Sequence, residues 1–479
     1  MHASDIIYLG VKVCRRYKII GMASFKSTFS MMDIINVTKF CLRMMNLKAF
    51  YALLIVAVIG IGCSASSSSD SNSVKKLSFD SDNAGLTLPT GFKALKVADS
   101  LGSARHIAVA ENGDMYIALR RANNGGGIVA LRDTDNDGKA DQKEYFGNHA
   151  GTGIGIHDGY LYASSTTKVF RYKMNENSLV PTAEPEVVIE GFPDQRQHAA
   201  KSFTFDNSGN IYVNVGAPSN SCQQEDRSTQ SPGQDPCPLL ERHAGIWQFS
   251  ATELGQTQQQ DGVRYATGLR NVVGLEWNEA KNSLYVTQHG RDQLSQNWPD
   301  LYTKEENAAL PAETLYKVNK GDNFGWPYSY YDQRKDQIML APEYCGDGEK
   351  TLAGTKYEGK FKEPVTAFPG HWAPNALEFY NASQFPEKYH NVALIAFHGS
   401  WNRTPLPQQG YKVVYAPLDD SASNYSEFAT GFSGSDQPQP GSADHRPTGL
   451  TVGPDGTLYI TDDSQGTVWR VAYTGESEE

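Results

Sequence analysis

The sequence predicts an all-β chain, a six-bladed β-propeller of four-stranded antiparallel blades, and three observations carry that prediction. First, one loose unit recurs: an apolar strand, a tight turn, a strand carrying tyrosine, then a further strand. Six such units can be traced at variable spacing. Second, the turns are often of Asn-Gly or Asp-Gly type, residues that supply the positive φ tight hairpins need. Third, an apolar strand over Phe92–Ala98 precedes the first unit, where it can complete the last blade and close the ring. Length alone, 479 residues, would suggest about three domains, but all-β rings exceed that prior as single units.

In chain order the hairpins are HIAVAENGDMYIALR from His106, TGIGIHDGYLYASS from Thr152 and KSFTFDNSGNIYVNVG from Lys201. VVGLEWNEAKNSLYVTQHG from Val272, NALEFYNASQFPEKYHNVALIAFHG from Asn375 and TGLTVGPDGTLYITDD from Thr448 follow. Segments such as GIVALRD, KVFRYKM, GIWQFS, ETLYKV, YKVVYAP and TVWRVAY supply third strands. The fourth unit shows what this geometry can do. A polar knot, Arg270-Asn271, stands before an alternating strand, and a second knot, Gln288 to Asp292, follows the returning strand. A hairpin brings those two points to the same end, so both knots should face one site.

Residues 1–43 show no propeller pattern and are expected to be an over-extended gene start. Residues 44–62 read as a signal peptide: a lysine, an apolar run too short to span a membrane, then small residues. Cys63 closes that run before SASSSSDSNS, which resembles a bacterial lipoprotein signal with Cys63 as the lipid-bearing residue. A serine-rich tether over 63–84 and a propeller over 85–474 complete the division. The expected location is periplasmic, anchored to the outer membrane by lipid alone; ordinary secretion is the alternative. Cys222 and Cys237 share one polar loop and are expected to form a disulfide in an oxidising compartment, leaving Cys345 as a buried thiol. No CxxCH occurs, so there is no covalent haem site. A formal net charge of −11 argues against nucleic acid as a partner.

DTDNDGKADQKE, Asp133 to Glu144, matches a calcium-loop pattern with Gly138 at the sharp turn. Hard oxygens from Asp133, Asp135, Asp137 and Asp141, with Glu144 last, suit Ca²⁺. The flanks are not helical, so the loop reads as a calcium staple rather than an EF-hand, with a metal-free acidic turn as the alternative. His198 precedes the third unit's first strand as Arg270 and Asn271 precede the fourth's, which places all three on one propeller face. An imidazole beside a fixed guanidinium and an amide suits oxidation of an alcohol or hydrated aldehyde.

Beyond His198, the ordered motifs are GLRN (Gly268 to Asn271), QHGRD (Gln288 to Asp292) and GDNFGWPY (Gly321 to Tyr328), then HGSWNR (His398 to Arg403), GYKV and HRPTGL. On these the chain from about Leu86 to Tyr473 resembles the soluble-glucose-dehydrogenase and sorbosone-dehydrogenase superfamily, six-bladed quinoproteins that use pyrroloquinoline quinone (PQQ). GDNFGWPY and HGSWNR look most like the sorbosone branch. The resemblance implies His198 as the base that takes the C1 hydroxyl proton while hydride moves to the quinone. It implies Arg270 as the stabiliser of charge on the reduced quinone and Asn271 as a cofactor contact. Gly290 and Arg291 would offer backbone oxygens to a second Ca²⁺, and Arg446 would pair with a PQQ carboxylate.

The sequence departs from the glucose-dehydrogenase pattern in three places. Gln-His-Gly replaces Glu-Gln-Gly, so His289 takes the place of a glutamine beside the cofactor. The family's fifth-unit lysine is not evident, and Trp401, Asn402 and Arg403 stand there instead. Lys201 replaces the arginine that accompanies the base. The implied partners are a sugar or aldehyde substrate and an electron acceptor, either a soluble carrier or a quinone. A lactonase-type metal-dependent propeller hydrolase and a non-catalytic periplasmic binding module are the rival readings, since propellers host all three.

Overall fold

The computed structural model describes residues 77–175, 177–418 and 425–475. The extension over 1–43, the signal segment over 44–62, Cys63 and the serine-rich start of the tether lie outside them. The end of the expected tether is packed on the ring instead: Leu77 is buried, and the Ser78 N–H donates to Asp137 O at 2.7 Å.

Six sheets stand as blades, each headed by an inner strand. In order these strands are Ala104–Val109, Ile154–His157, Phe203–Phe205, Val272–Asn278, Pro374–Phe379 and Pro447–Val452. The segments expected as third strands take that position in every blade, for example Glu313–Val318 in the fourth and Lys412–Pro417 in the fifth. Phe92–Ala98 pairs antiparallel with Val468–Tyr473, Phe92 opposite Tyr473, so the first strand completes the last blade and closes the ring. Two blades exceed four strands. Gln256–Thr257 adds in parallel beside Glu186–Glu190, and Asp322–Asn323, from the GDNFGWPY motif, adds in parallel beside Val263–Thr267.

Alternating apolar residues on both faces of each blade fill the seams with neighbouring blades. Trp469 on the last blade is 1% exposed and belongs to a cluster that joins Phe92 and Leu450 of that blade to Tyr380 of the fifth. Burying a side chain of that size stabilises by about 3 kcal/mol. A separate cluster forms from the insertions of the third and fourth blades. It gathers Ala217, Cys222 and Cys237 with Trp326, Tyr328 and Tyr344. Cys222 and Cys237 are bonded, S–S 2.02 Å. Cys345, expected as buried, is exposed.

Four inner strands carry a bulge: between Ala104 and Ile107, Val272 and Leu275, Pro374 and Ala376, and Pro447 and Gly449. An extra residue in one strand breaks its alternation. Side chains before and after the bulge can therefore both face the axis. Arg105, Val273 and Asn375 line a cavity at one end, and Ala108, Glu276 and Glu378 line another at the other end.

Candidate active site

The motifs converge on two adjoining cavities of about 370 Å³ each, at the end of the ring where the inner strands begin. His198 lines both. Its backbone is left-handed, φ 51°, and the Gln195 side-chain amide pins it by donating to His198 O at 3.1 Å and Gly216 O at 3.0 Å. Gly216 permits this approach, because a Cβ there would meet His198 Cβ at 2.7 Å. His198 Nδ1 lies 2.6 Å from Ala217 O. A carbonyl only accepts, so Nδ1 carries the hydrogen and Nε2 keeps its lone pair. Burial, then the Arg270 charge, pushes the imidazole down to about 3, so it is neutral at ordinary pH.

Arg270 is buried, and its guanidinium makes four hydrogen bonds. It donates to Asn220 O (3.1 Å), Gly290 O (2.7 Å), Asn220 Oδ1 (2.9 Å) and Asp292 Oδ2 (3.0 Å). The two knots are tied directly: Arg270 N–H donates to Gln288 Oε1 and His289 N–H to Asn271 O. Asn271 Oδ1 is buried without a hydrogen-bond partner among the described residues, although it borders both cavities. A buried orphan acceptor of this kind calls for a ligand donor or an ordered water. His289 Nε2 donates to Pro374 O at 3.0 Å, and burial pushes that imidazole down to about 3.

Asp292 forms the other wall. Burial opposes its charge, but Arg270 and His371 override it and hold the carboxyl well below the usual range. Asn402 Nδ2 donates to Asp292 Oδ1 at 3.1 Å and stands 3.2 Å from His371 Nδ1. Glu313 accepts from Gly290 N–H at 2.9 Å, and burial pushes its carboxyl up to about 7. Across the cavity, Arg446 donates to His398 O (3.0 Å) and Gly399 O (2.5 Å). His398 Nε2 pairs with Asp463 Oδ1 at 2.7 Å, and Arg105 Nη1 pairs with Asp463 Oδ2 at 3.1 Å. Trp401 stands at the mouth, 62% exposed.

Not every expected residue reaches the cleft. Arg403 is buried behind it, donating to Pro407 O and Gly370 O. The Arg291 side chain is also buried, paired with Glu343 at 2.5 Å. Lys201 is fully buried, with Nζ on Ala199 O at 2.9 Å, and burial pushes its amine down to about 8. In the acidic loop Asp133, Asp135 and Asp141 converge, whereas Asp137 and Glu144 are not part of that cluster. Asp137 Oδ1 instead accepts from Lys139 N–H, and Glu144 lies on the strand Gln142–Phe146. Trp326 and Tyr328 are buried in the insertion cluster. Sequence reasoning missed Arg105, Arg120, Glu313, His371 and Asp463, all on cavity walls or bonded to them. A signal existed for Arg105, which holds the same place before its strand's core residue, Ile107, as Asn375 does before Leu377.

Residues 86–474 match the family model described as TrAA12-like. The pyrroloquinoline quinone-dependent pyranose dehydrogenase of Coprinopsis cinerea is 26% identical over 281 residues, covering 50% of this chain and 36% of that protein. The holo form of the PQQ domain of pyranose dehydrogenase from Coprinopsis cinerea superposes with a TM-score of 0.65 at 20% identity, covering 81% of this chain and 97% of that one. The calcium structure of a Trichoderma reesei enzyme of family AA12 gives 0.64 at 18% identity, covering 83% and 98%. The chain spans about half, or less, of the length of several curated relatives it matches. Six closed blades, knots meeting in one cleft and a family model matched over most of the sequence agree: the chain belongs to the TrAA12-like family.

Proposed function

We propose that the chain is a quinoprotein dehydrogenase, with PQQ as resident cofactor, that oxidises a sugar of aldose type at C1 or a sorbosone-like aldehyde. One observation carries the reading: a neutral imidazole, His198, held through Nδ1 beside the buried guanidinium of Arg270 in a single cleft. The residues present fit such a cofactor. Arginines border the cleft, and Asn271 Oδ1, buried and without a hydrogen-bond partner among the described residues, can accept from a bound group. Relatives named for PQQ-dependent sugar oxidation add support.

When bound, PQQ supplies the acceptor for a hydride. The chain's own residues do the rest. His198 Nε2, with its lone pair free, takes the proton of the substrate hydroxyl, and the Nδ1 bond to Ala217 O keeps the ring in that tautomer through the transfer. Arg270, already locked by Asn220 and Asp292, presents a fixed positive field that needs no rearrangement as negative charge develops. Trp401 offers an apolar face to a sugar ring at the mouth. Ca²⁺ belongs to the same proposal, at the backbone oxygens of Gly290 and Arg291 and at the loop of Asp133, Asp135 and Asp141. The calcium structure of the Trichoderma reesei neighbour supports that part. Lipid anchorage at Cys63 in the periplasm, and a quinone or soluble carrier as electron acceptor, complete the reading.

The test is dye reduction by the mature domain with a panel of aldoses, with and without added PQQ and Ca²⁺. Turnover is expected only with PQQ present, and chelation of Ca²⁺ should abolish it. Absence of turnover together with absence of saturable PQQ binding would overturn the proposal.

A further inference from the structure

Beside the cleft lies a second recess that the proposed reaction does not use. It is a groove of about 800 Å³ on blade five, bordered by Trp372, Gln408, Gln409, Lys412, Glu427 and Asp436. It opens at the end of the ring that carries the cleft, since Phe397 pairs both with Pro374, the start of the inner strand, and with Lys412. One loop separates the two. It leaves the strand Val392–Phe397 and returns into Lys412–Pro417, and Ser400 N–H donates to Gln409 O at 2.8 Å across it. Gly399 and Trp401 of the outgoing arm border the cleft, whereas Gln408 to Lys412 of the returning arm border the groove. Gly410 keeps the arms close, because a Cβ there would meet Gly399 Cα at 2.6 Å.

The groove holds amide donors that the protein leaves unused. Gln408 is 5% exposed, and its Oε1 accepts from Ser400 Oγ at 2.8 Å and from the Arg403 N–H at 3.4 Å. The Arg403 N–H can only donate, so the amide oxygen faces it and the amide is held in one orientation. Gln408 Nε2 then has no hydrogen-bond partner among the described residues, although the side chain borders the groove. Gln409 repeats the pattern: Trp372 Nε1 donates to its Oε1 at 3.3 Å, and its Nε2 has no partner among the described residues. A fixed donor on a buried side chain calls for an acceptor from a ligand or an ordered water. Lys412 pairs with Glu427 and lies 4.9 Å from the centre of the Trp372 ring, so those two charges offset each other. The surplus carboxylate is Asp436, which disfavours an anion. Amide donors beside carboxylate acceptors suit vicinal hydroxyls, which accept and donate at once. We infer that the groove is a distal saccharide subsite, and that the chain takes the reducing end of a neutral oligosaccharide whose further rings pass Trp401 into it. Trp401, 62% exposed on the loop between the two sites, offers its ring face on the way. The placement of the reducing end rests on the proposed function; the groove's affinity for a sugar does not.

The experiment is calorimetric titration of the cofactor-free full chain with maltotriitol and with cellotriitol, whose reduced ends carry no hemiacetal to oxidise. Saturable binding of at least one is expected. Gln409→Ala should weaken it about tenfold, as loss of one well-placed hydrogen bond can. Gln260→Ala, an exposed amide on blade three that borders neither groove nor cleft, should bind as the unsubstituted chain does. Gln409 is exposed, so an unchanged melting temperature is expected to accompany the loss. With PQQ and Ca²⁺ added, kcat/KM for the matching trisaccharide should exceed that for glucose about tenfold, and Gln409→Ala should remove most of that advantage. Binding of neither alditol, with glucose still oxidised, would overturn the subsite and leave the proposed function standing. Binding by Gln409→Ala within about twofold of the unsubstituted chain, or equal losses in Gln409→Ala and Gln260→Ala, would also overturn the subsite. Alditol binding without saturable PQQ binding would support the groove as a saccharide site and overturn the proposed function.

Discussion

His198 is a base because of its surroundings rather than its own chemistry. Its ordinary imidazole range would leave it partly protonated near neutrality. Here burial and then the Arg270 charge push it down to about 3, so the lone pair on Nε2 is present throughout the working range. The sign follows: lowering the pH removes a base only near its own pKa. The acid limb of kcat/KM assigned to this group should therefore fall below about pH 5, and a limb at about 6.5 would point to a different base. His198→Ala should lower kcat about 10²- to 10⁴-fold while PQQ titrates with unchanged affinity. Activity retained in that variant would remove His198 from the reaction. His198, Arg270, Asn271 and QHGRD were legible in the sequence because each stands at the end of a hairpin strand. Asp463 was not, because its role depends on His398 and Arg105, which are distant from it in the chain.

The hairpin is the element that turns sequence position into site geometry. Val272–Asn278 and Ser283–Gln288 pair so that Val272 faces Gln288, which sets the two knots side by side. The strands were readable from period-2 patterning, but their bulges were not. A bulge changes which face a residue occupies without changing the residue pattern that marks a strand. Arg105 therefore reads as a polar residue near a strand start, and the pairing shows that it faces the axis. Insertions act as elements too. Asn220, two residues before Cys222, holds Arg270 through both its backbone oxygen and its Oδ1. The disulfide to Cys237, closing a sequence separation of 15 residues, should stabilise that insertion by about 3 kcal/mol. Reduction, or Cys222→Ser with Cys237→Ser, should lower the melting temperature and reduce kcat more than it raises KM, because Arg270 loses its support. Steady-state kinetics under reducing and oxidising conditions would show this, and an unchanged kcat would contradict it.

At the scale of the whole molecule, ring closure decides stability. Phe92 on the closing strand meets Phe385, Tyr389 and Phe428 edge-on, with ring centroids 4.8, 5.2 and 5.2 Å away. It thus fastens the first strand of the ring to the fifth blade as well as the sixth. Phe92→Ala should cost about 3–5 kcal/mol, measured by denaturant unfolding, with little effect on PQQ affinity, since Phe92 borders neither cavity of the cleft. A cost below about 1 kcal/mol would show that closure does not depend on this contact. The ring also explains how segments as distant in sequence as Arg105 and Asp463 share one ion pair: the first and last blades are neighbours.

The sequence by itself determined the repeat, the count of blades, the closing strand and the polar knots, because alternation and turn chemistry are local properties of neighbouring residues. It did not determine which polar side chains would be left without partners. Whether, among the described residues, Asn271 Oδ1 is orphaned, Arg291 and Arg403 are tied up in buried contacts, or the Arg120 side chain lacks a partner depends on groups supplied by other blades. Those pairings are non-local, set by bulge positions and by the packing of insertions, and only the tertiary structure decides them.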